Sequence, residues 1–152
     1  MRPISHTLAG IAALILTVVT VNAGELNPAA VTFTLPDKIE WKSLTNYTGV
    51  QFVNLVGDPS KPGLYIQLVK WLPGNMSRPH FHPNDRFITV LKGTWWVGTG
   101  TKYDPASTVP MPAGTFVTHF GKQVHYDGAK DEETVLLIVG DGPATITPAE
   151  EK

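Results

Sequence analysis

Proline and glycine punctuate this chain too densely for a helical fold. There are 14 Gly and 13 Pro among 152 residues, concentrated at Gly57-Asp58-Pro59-Ser60-Lys61-Pro62-Gly63, Pro73-Gly74, Pro79, Pro83, Gly93 and Pro112-Ala113-Gly114. Proline removes a backbone donor and collides with the preceding helical turn, so no helix runs through these points. The runs between them are short and read as strands over residues 31–35, 39–44, 50–56, 64–71, 87–91, 94–98, 115–120, 124–126 and 134–139. Residues 31–35 alternate apolar with polar up to Pro36, 64–71 have few polar positions on either face, and 134–139 form the apolar run of a central strand. Residues 101–110 read as a loop, Asp127-Gly128 as a turn, and the segment after Gly142 as a tail with little to bury. About nine strands without an internal repeat predict an all-β fold, a barrel or two-sheet jelly roll.

The first 23 residues are of another kind. Arg2 supplies a short positive start, residues 8–21 are almost unbroken in apolar character, and Val21-Asn22-Ala23 offers small residues for a signal peptidase. This pattern predicts a signal peptide over residues 1–23 and a single domain over 24–152, exported to the periplasm or the extracellular space. An uncleaved anchor or buried helix is the weaker alternative, because the run falls short of the roughly 20 residues a spanning helix needs. Without Arg2 the formal charge moves from −1 to −2, with 11 basic against 13 acidic residues. So even a balance predicts no nucleic-acid partner, and no membrane association once the signal is removed. The chain has no cysteine, so its core must hold the fold without disulfides, and thiolate metal sites are excluded.

Chemistry concentrates in residues 74–93, around His80-Phe81-His82. Side chains alternate along a strand, so histidines at i and i+2 share a face and can share a metal ion; a helical pair would need a spacing near i, i+4. The four histidines beyond residue 23 all fall between positions 80 and 125. Neutral imidazole suits divalent Fe, Mn, Zn, Ni or Cu.

The spacing of this stretch is also that of a family. Gly74, five residues, His80-x-His82, three residues, position 86, six residues and Gly93 resembles the first signature motif of the cupins. Residues 57–63 and Pro112-Ala113-Gly114 followed by Val124-His125-Tyr126 are similar to the small single-domain bacterial cupins of the RmlC-like superfamily. The resemblance covers roughly residues 50–143 and implies a double-stranded β-helix, the cupin jelly-roll barrel. It implies a divalent metal held by His80, His82 and a third histidine from the second motif. That motif is matched loosely, with four residues between Gly114 and His119 and ten between Gly114 and His125. The resemblance favours His125, with His119 second; spacing alone ranks neither.

One position departs from the family pattern. Arg86 stands where the motif usually carries a glutamate ligand, and guanidinium has no lone pair to offer a metal. Turned inward, Arg86 places a positive charge beside the ion and suits an anionic substrate bound to both. Turned outward, it makes a surface ion pair with Asp85 or another neighbour. Asp127, two residues after His125, shares its face if the strand persists, as a fourth ligand or an acceptor for an imidazole N–H. Asp85 and Asp127 both read first as turn residues. Of Trp95 and Trp96, the inward indole reads first as core packing. No phosphate loop or nucleophile elbow is present.

Three functions follow as expectations. The first is an exported metal-binding cupin with Arg86 as a catalytic group, acting as an oxygenase or isomerase on a small anionic molecule. The second is a non-catalytic ligand-binding or sensing module, and the third a scaffold whose metal site has decayed. Exposed strand edges would permit a homodimer.

Overall fold

The computed structural model describes residues 24–44 and 47–152. The predicted signal peptide lies outside the described residues. The chain divides into two compact units, the first ending at Thr34 and the second spanning Leu35–Lys152. In the first, Asn27 caps a turn: its Oδ1 accepts from the Ala29 N–H at 3.0 Å and its carbonyl from the Ala30 N–H at 3.0 Å. The strand expected over residues 31–35 does not form. Val31, Phe33 and Leu35 are 49%, 66% and 51% exposed. Alternation makes a strand only where a neighbour supplies ladder bonds and a surface to pack on, and among the described residues none pairs with this segment.

The second unit contains eleven strands among the described residues: β1 (Lys42–Leu44), β2 (Tyr47–Val56), β3 (Gly63–Trp71), β4 (His80–Phe81), β5 (Arg86–Lys92), β6 (Thr94–Thr99), β7 (Val109–Pro112), β8 (Phe116–His119), β9 (His125–Gly128), β10 (Thr134–Gly142) and β11 (Thr147–Pro148). Short 3₁₀ turns occupy Pro36–Lys38 and Pro105–Ser107. All pairings are antiparallel, in a six-stranded sheet ordered β1-β2-β3-β10-β5-β8 and a five-stranded sheet ordered β11-β4-β9-β6-β7. This is the predicted all-β jelly roll, a double-stranded β-helix. Among the described residues no helix is long and apolar enough to cross a membrane.

Three expectations need correction. Asp127 and Gly128 do not turn the chain; they continue β9, and Asp127 is buried. The end of the expected loop at 101–110 is already strand, since β7 begins at Val109. The tail after Gly142 returns as β11 along β4, pairing Thr147 with Phe81 and Pro148 with His80. The Ala149 N–H donates to the Pro79 carbonyl at 2.9 Å, and Arg78 pairs with Glu150, its Nε donating to Oε2 at 2.8 Å.

The core follows from alternation along paired strands. Ile88 and Val90 on β5 lie in register with Ile138 and Leu136 on β10, and all four are buried. One row nearer the barrel end, Tyr65, Gly140, Arg86 and His119 lie side by side across β3, β10, β5 and β8. Glycine is required in that row, because a Cβ at Gly140 would stand 2.9 Å from the Tyr65 hydroxyl oxygen. The phenol ring uses that space. Gly93 joins β5 to β6 at φ 71°, where a Cβ would also lie 2.3 Å from the Glu133 carbonyl oxygen. Left-handed backbone and close approach together explain the glycine that closes the HxH stretch.

Leu136 is 1% exposed in the middle of this core. Its replacement by alanine should lower the unfolding free energy by about 2–5 kcal/mol in urea denaturation. Gly93→Ala should also destabilise, whereas Leu55→Ala, at a site 45% exposed, should stay within about 0.5 kcal/mol of the wild type.

Candidate functional site

Two cross-strand pairs, one on each sheet, meet inside the barrel. On the five-stranded sheet His80 of β4 lies opposite His125 of β9. On the six-stranded sheet Arg86 of β5 lies opposite His119 of β8. His82, just past the end of β4, joins the first pair, with its ring centroid 5.0 Å from that of His80. The ligand nitrogens of His80, His82 and His125 all lie within 4.8 Å of one another. The structure therefore brings together the three histidines singled out in the sequence.

Backbone carbonyls fix how these rings present themselves. His80 Nδ1 lies 2.8 Å from the Arg78 carbonyl oxygen, His125 Nδ1 3.1 Å from that of Gln123, and His82 Nδ1 2.9 Å from that of Thr145. A carbonyl can only accept, so each Nδ1 carries the proton and each Nε2 keeps its lone pair. Metal-binding histidines are held in this way, with one ring nitrogen donating and the other free. His82 Nε2 is buried without a hydrogen-bond partner, as a ligand atom waiting for an ion would be. The donor set thus fits a divalent metal.

Arg86 points inward. Its Nη2 lies 3.2 Å from His119 Nδ1 and 3.3 Å from His125 Nε2, while its Nε is buried and unpaired. Guanidinium only donates, so His119 accepts at Nδ1 and carries its proton on Nε2. His119 thus holds Arg86, with its ring against Trp95 at 5.1 Å. Its ligand atom also lies within 4.8 Å of those of His125 and Asp127, a second group that shares His125 with the first.

Asp127 is the acidic group of the site. Its Oδ2 stands 3.8 Å from His125 Nε2, and its backbone N–H donates to the Ser77 hydroxyl at 2.8 Å. Asp85 is elsewhere, accepting from the Gly121 N–H at 2.7 Å as an ordinary turn residue. His80, His82, Arg86 and Asp127 open onto a cavity of about 640 Å³ whose walls include Phe52, Trp71, Ile88, Trp95, Leu136 and Ile138. The indole of Trp95 both packs in the core and lines this space, whereas Trp96 lies under the Lys130 ammonium at 3.7 Å.

The residues that sequence reasoning missed act mainly through their backbone. Arg78, Gln123 and Thr145 contribute only carbonyls to the imidazoles, for which no side-chain type is a signal. The signal for Asp127 was its i+2 spacing from His125, which the Asp-Gly dipeptide outweighed.

The family model of the ChrR cupin-like domain matches residues 30–145. No curated protein matches the chain. Among solved structures, the polyketide cyclase RemF of Streptomyces resistomycificus is 13% identical with a TM-score of 0.66, over 80% of this chain and 87% of that one. KdgF of a Halomonas species is 18% identical with a TM-score of 0.55, over 73% of this chain and 95% of that one. A cupin-like protein of Thermotoga maritima is 22% identical with a TM-score of 0.56, over 71% and 84%. Similarity at these identities bears on the fold alone.

Burial decides the protonation of the site. It pushes His82 down to about 2, helped by the Arg86 charge. It pushes His125 down to about 4 against the opposing pull of Asp127. His119 is depressed too, by burial, His125 and Arg86. All three are neutral in the folded protein at neutral pH. An unfolded histidine takes up a proton near pH ~6.5, so the unfolded state binds more protons below that value and stability is lost as pH falls. Chemical denaturation of the metal-free protein should give a flat stability above pH ~6.5, then a fall of up to about 1.4 kcal/mol per pH unit for each such histidine. The His125 share should level off near its folded value of about 4. His119→Gln should make the acid slope shallower.

Proposed function

Because the chain belongs to the ChrR cupin-like domain family, with three imidazoles converging inside its barrel, we propose that it binds a divalent metal through His80, His82 and His125. The observation that carries this reading is that Nδ1 of each ring lies against a backbone carbonyl, which assigns the proton to Nδ1 and leaves Nε2 as the donor to an ion. Fe, Mn, Zn, Ni and Cu all suit such nitrogen donors. When bound, the ion supplies Lewis acidity. The chain's own residues supply the rest. Arg86 binds and orients a small anionic molecule, His119 holds Arg86 in place, and the apolar walls keep water from the charged end of the cavity. Asp127 beside His125 is the residue placed to take or return a proton.

On this reading the protein is an exported enzyme, an oxygenase or isomerase for a small anionic molecule. Export rests on Arg2, the apolar run at 8–21 and Val21-Asn22-Ala23. A second reading, a ligand-binding or sensing module without turnover, is favoured by one observation: Arg86 stands in place of a glutamate ligand and donates to His125 Nε2. Oxygen uptake or isomerisation in a panel of small organic acids supports the enzyme; tight binding of such an acid without turnover supports the module.

Elemental analysis of protein purified without chelator tests the shared premise. Near-stoichiometric divalent metal is expected in the wild type and in His119→Ala, and its loss in His80→Ala and in His125→Ala. Absence of metal from every sample after incubation with Fe²⁺, Mn²⁺ or Zn²⁺ contradicts it. Deleting residues 144–152 removes the carbonyl that orients His82 and should weaken metal binding by about 10–100-fold.

A further inference from the structure

Arg86 is a half-buried cation whose Nε is fully enclosed, and among the described residues no carboxylate touches it. None lies within 4.0 Å of its guanidinium. Its Nε N–H has no acceptor, and Nη2 is spent on two imidazole nitrogens. A buried charge is ordinarily paired. The Asp127 charge favours the protonated guanidinium from a distance but makes no ion pair with it: its Oδ2 lies 3.8 Å from His125 Nε2, and its backbone is tied to Ser77 through both N–H and C=O.

The same guanidinium obstructs the metal. The Arg86 N–H points at His125 Nε2, the lone pair that a bound ion would need. A cation entering alone must break that hydrogen bond and then face a fixed positive charge in a buried site, where screening is weak. A carboxylate removes both obstacles, because its oxygens only accept and can face arginine on one side and an ion on the other. Beyond Arg86 the cavity wall is mostly apolar and includes Phe52, Trp71, Ile88, Leu136 and Ile138, with Asn54 and Gln67 among its polar members, which favours a largely apolar body behind the carboxylate.

We propose that metal and ligand binding are coupled through Arg86: a small carboxylate with an apolar body binds between the guanidinium and the ion, and each tightens the binding of the other. This rests on the reading that His80, His82 and His125 hold a divalent metal. Arg86 lowers the affinity of the metal site by about tenfold, without closing it, until the acid is present. Linkage requires the coupling to be reciprocal, so one factor describes both effects.

Calorimetric titration of metal-free protein with Zn²⁺, with and without saturating benzoate, tests the coupling without any turnover. In the wild type, benzoate should raise Zn²⁺ affinity by about tenfold or more, and Zn²⁺ should raise benzoate affinity by the same factor. In Arg86→Gln, Zn²⁺ alone should bind about tenfold tighter than it does to the wild type, and the benzoate effect should vanish. Arg86→Lys keeps the charge and should keep the weak binding of Zn²⁺ alone. Reciprocity in the wild type needs no variant, so the test stands even where a substitution unfolds the barrel. Zn²⁺ binding that ignores benzoate in the wild type, or responds equally in Arg86→Gln, overturns the coupling and leaves the three-histidine reading intact. No Zn²⁺ binding by the wild type or Arg86→Gln, with or without benzoate, overturns both.

Discussion

The contact between Arg86 and His125 joins the two sheets at the functional end of the barrel, and the rest of the site depends on it. Arg86 belongs to the six-stranded sheet and His125 to the five-stranded one, and Nη2 and Nε2 meet at 3.3 Å. Antiparallel register makes the contact possible by setting Arg86 against His119 and His80 against His125. Shifting either pairing by one residue would turn the side chains to the other face. The core rows behind them, where Ile88 meets Ile138 and Val90 meets Leu136, hold the register against such a slip. Packing and chemistry are therefore fixed by the same ladder.

Charge within the site is arranged unusually for a metal centre. His82, His119 and His125 stay neutral because burial and the arginine oppose their protonation, with Asp127 the acidic group beside them. Neutral imidazoles are what a divalent ion requires, and a guanidinium alone is what it avoids. In the coupling we propose, an anionic ligand pairs with both, and the mostly apolar wall selects among anions by what they carry behind the charge.

Much of this was legible in the residues themselves. Turn formers set strands of the right length and excluded helices, and the HxH spacing placed His80 and His82 on one face. His125 could be favoured through family resemblance, and the structure puts it opposite His80. The inward course of Arg86 could not be read, because its position in β5 allows either face until the partner strands are known. Residues 31–35 carried a strand pattern with no partner to complete it, since propensity alone supplies no neighbour. The tail after Gly142 was misread for the opposite reason. Its side chains carry little signal, yet its backbone completes the edge of β4, and the Thr145 carbonyl orients His82. Backbone acceptors are the same at every residue, so their role becomes visible only with the fold.

The central claim is that the barrel holds three imidazoles that donate from Nδ1 to backbone carbonyls and keep Nε2 for a ligand, with a fourth turned round to hold Arg86. Nitrogen-15 NMR of the imidazole rings in metal-free protein at neutral pH reports this directly. The account predicts Nδ1–H rings with unprotonated Nε2 for His80, His82 and His125, and the opposite tautomer for His119. An Nε2–H tautomer at any of the first three positions, or an imidazolium at His82 or His125, would contradict it.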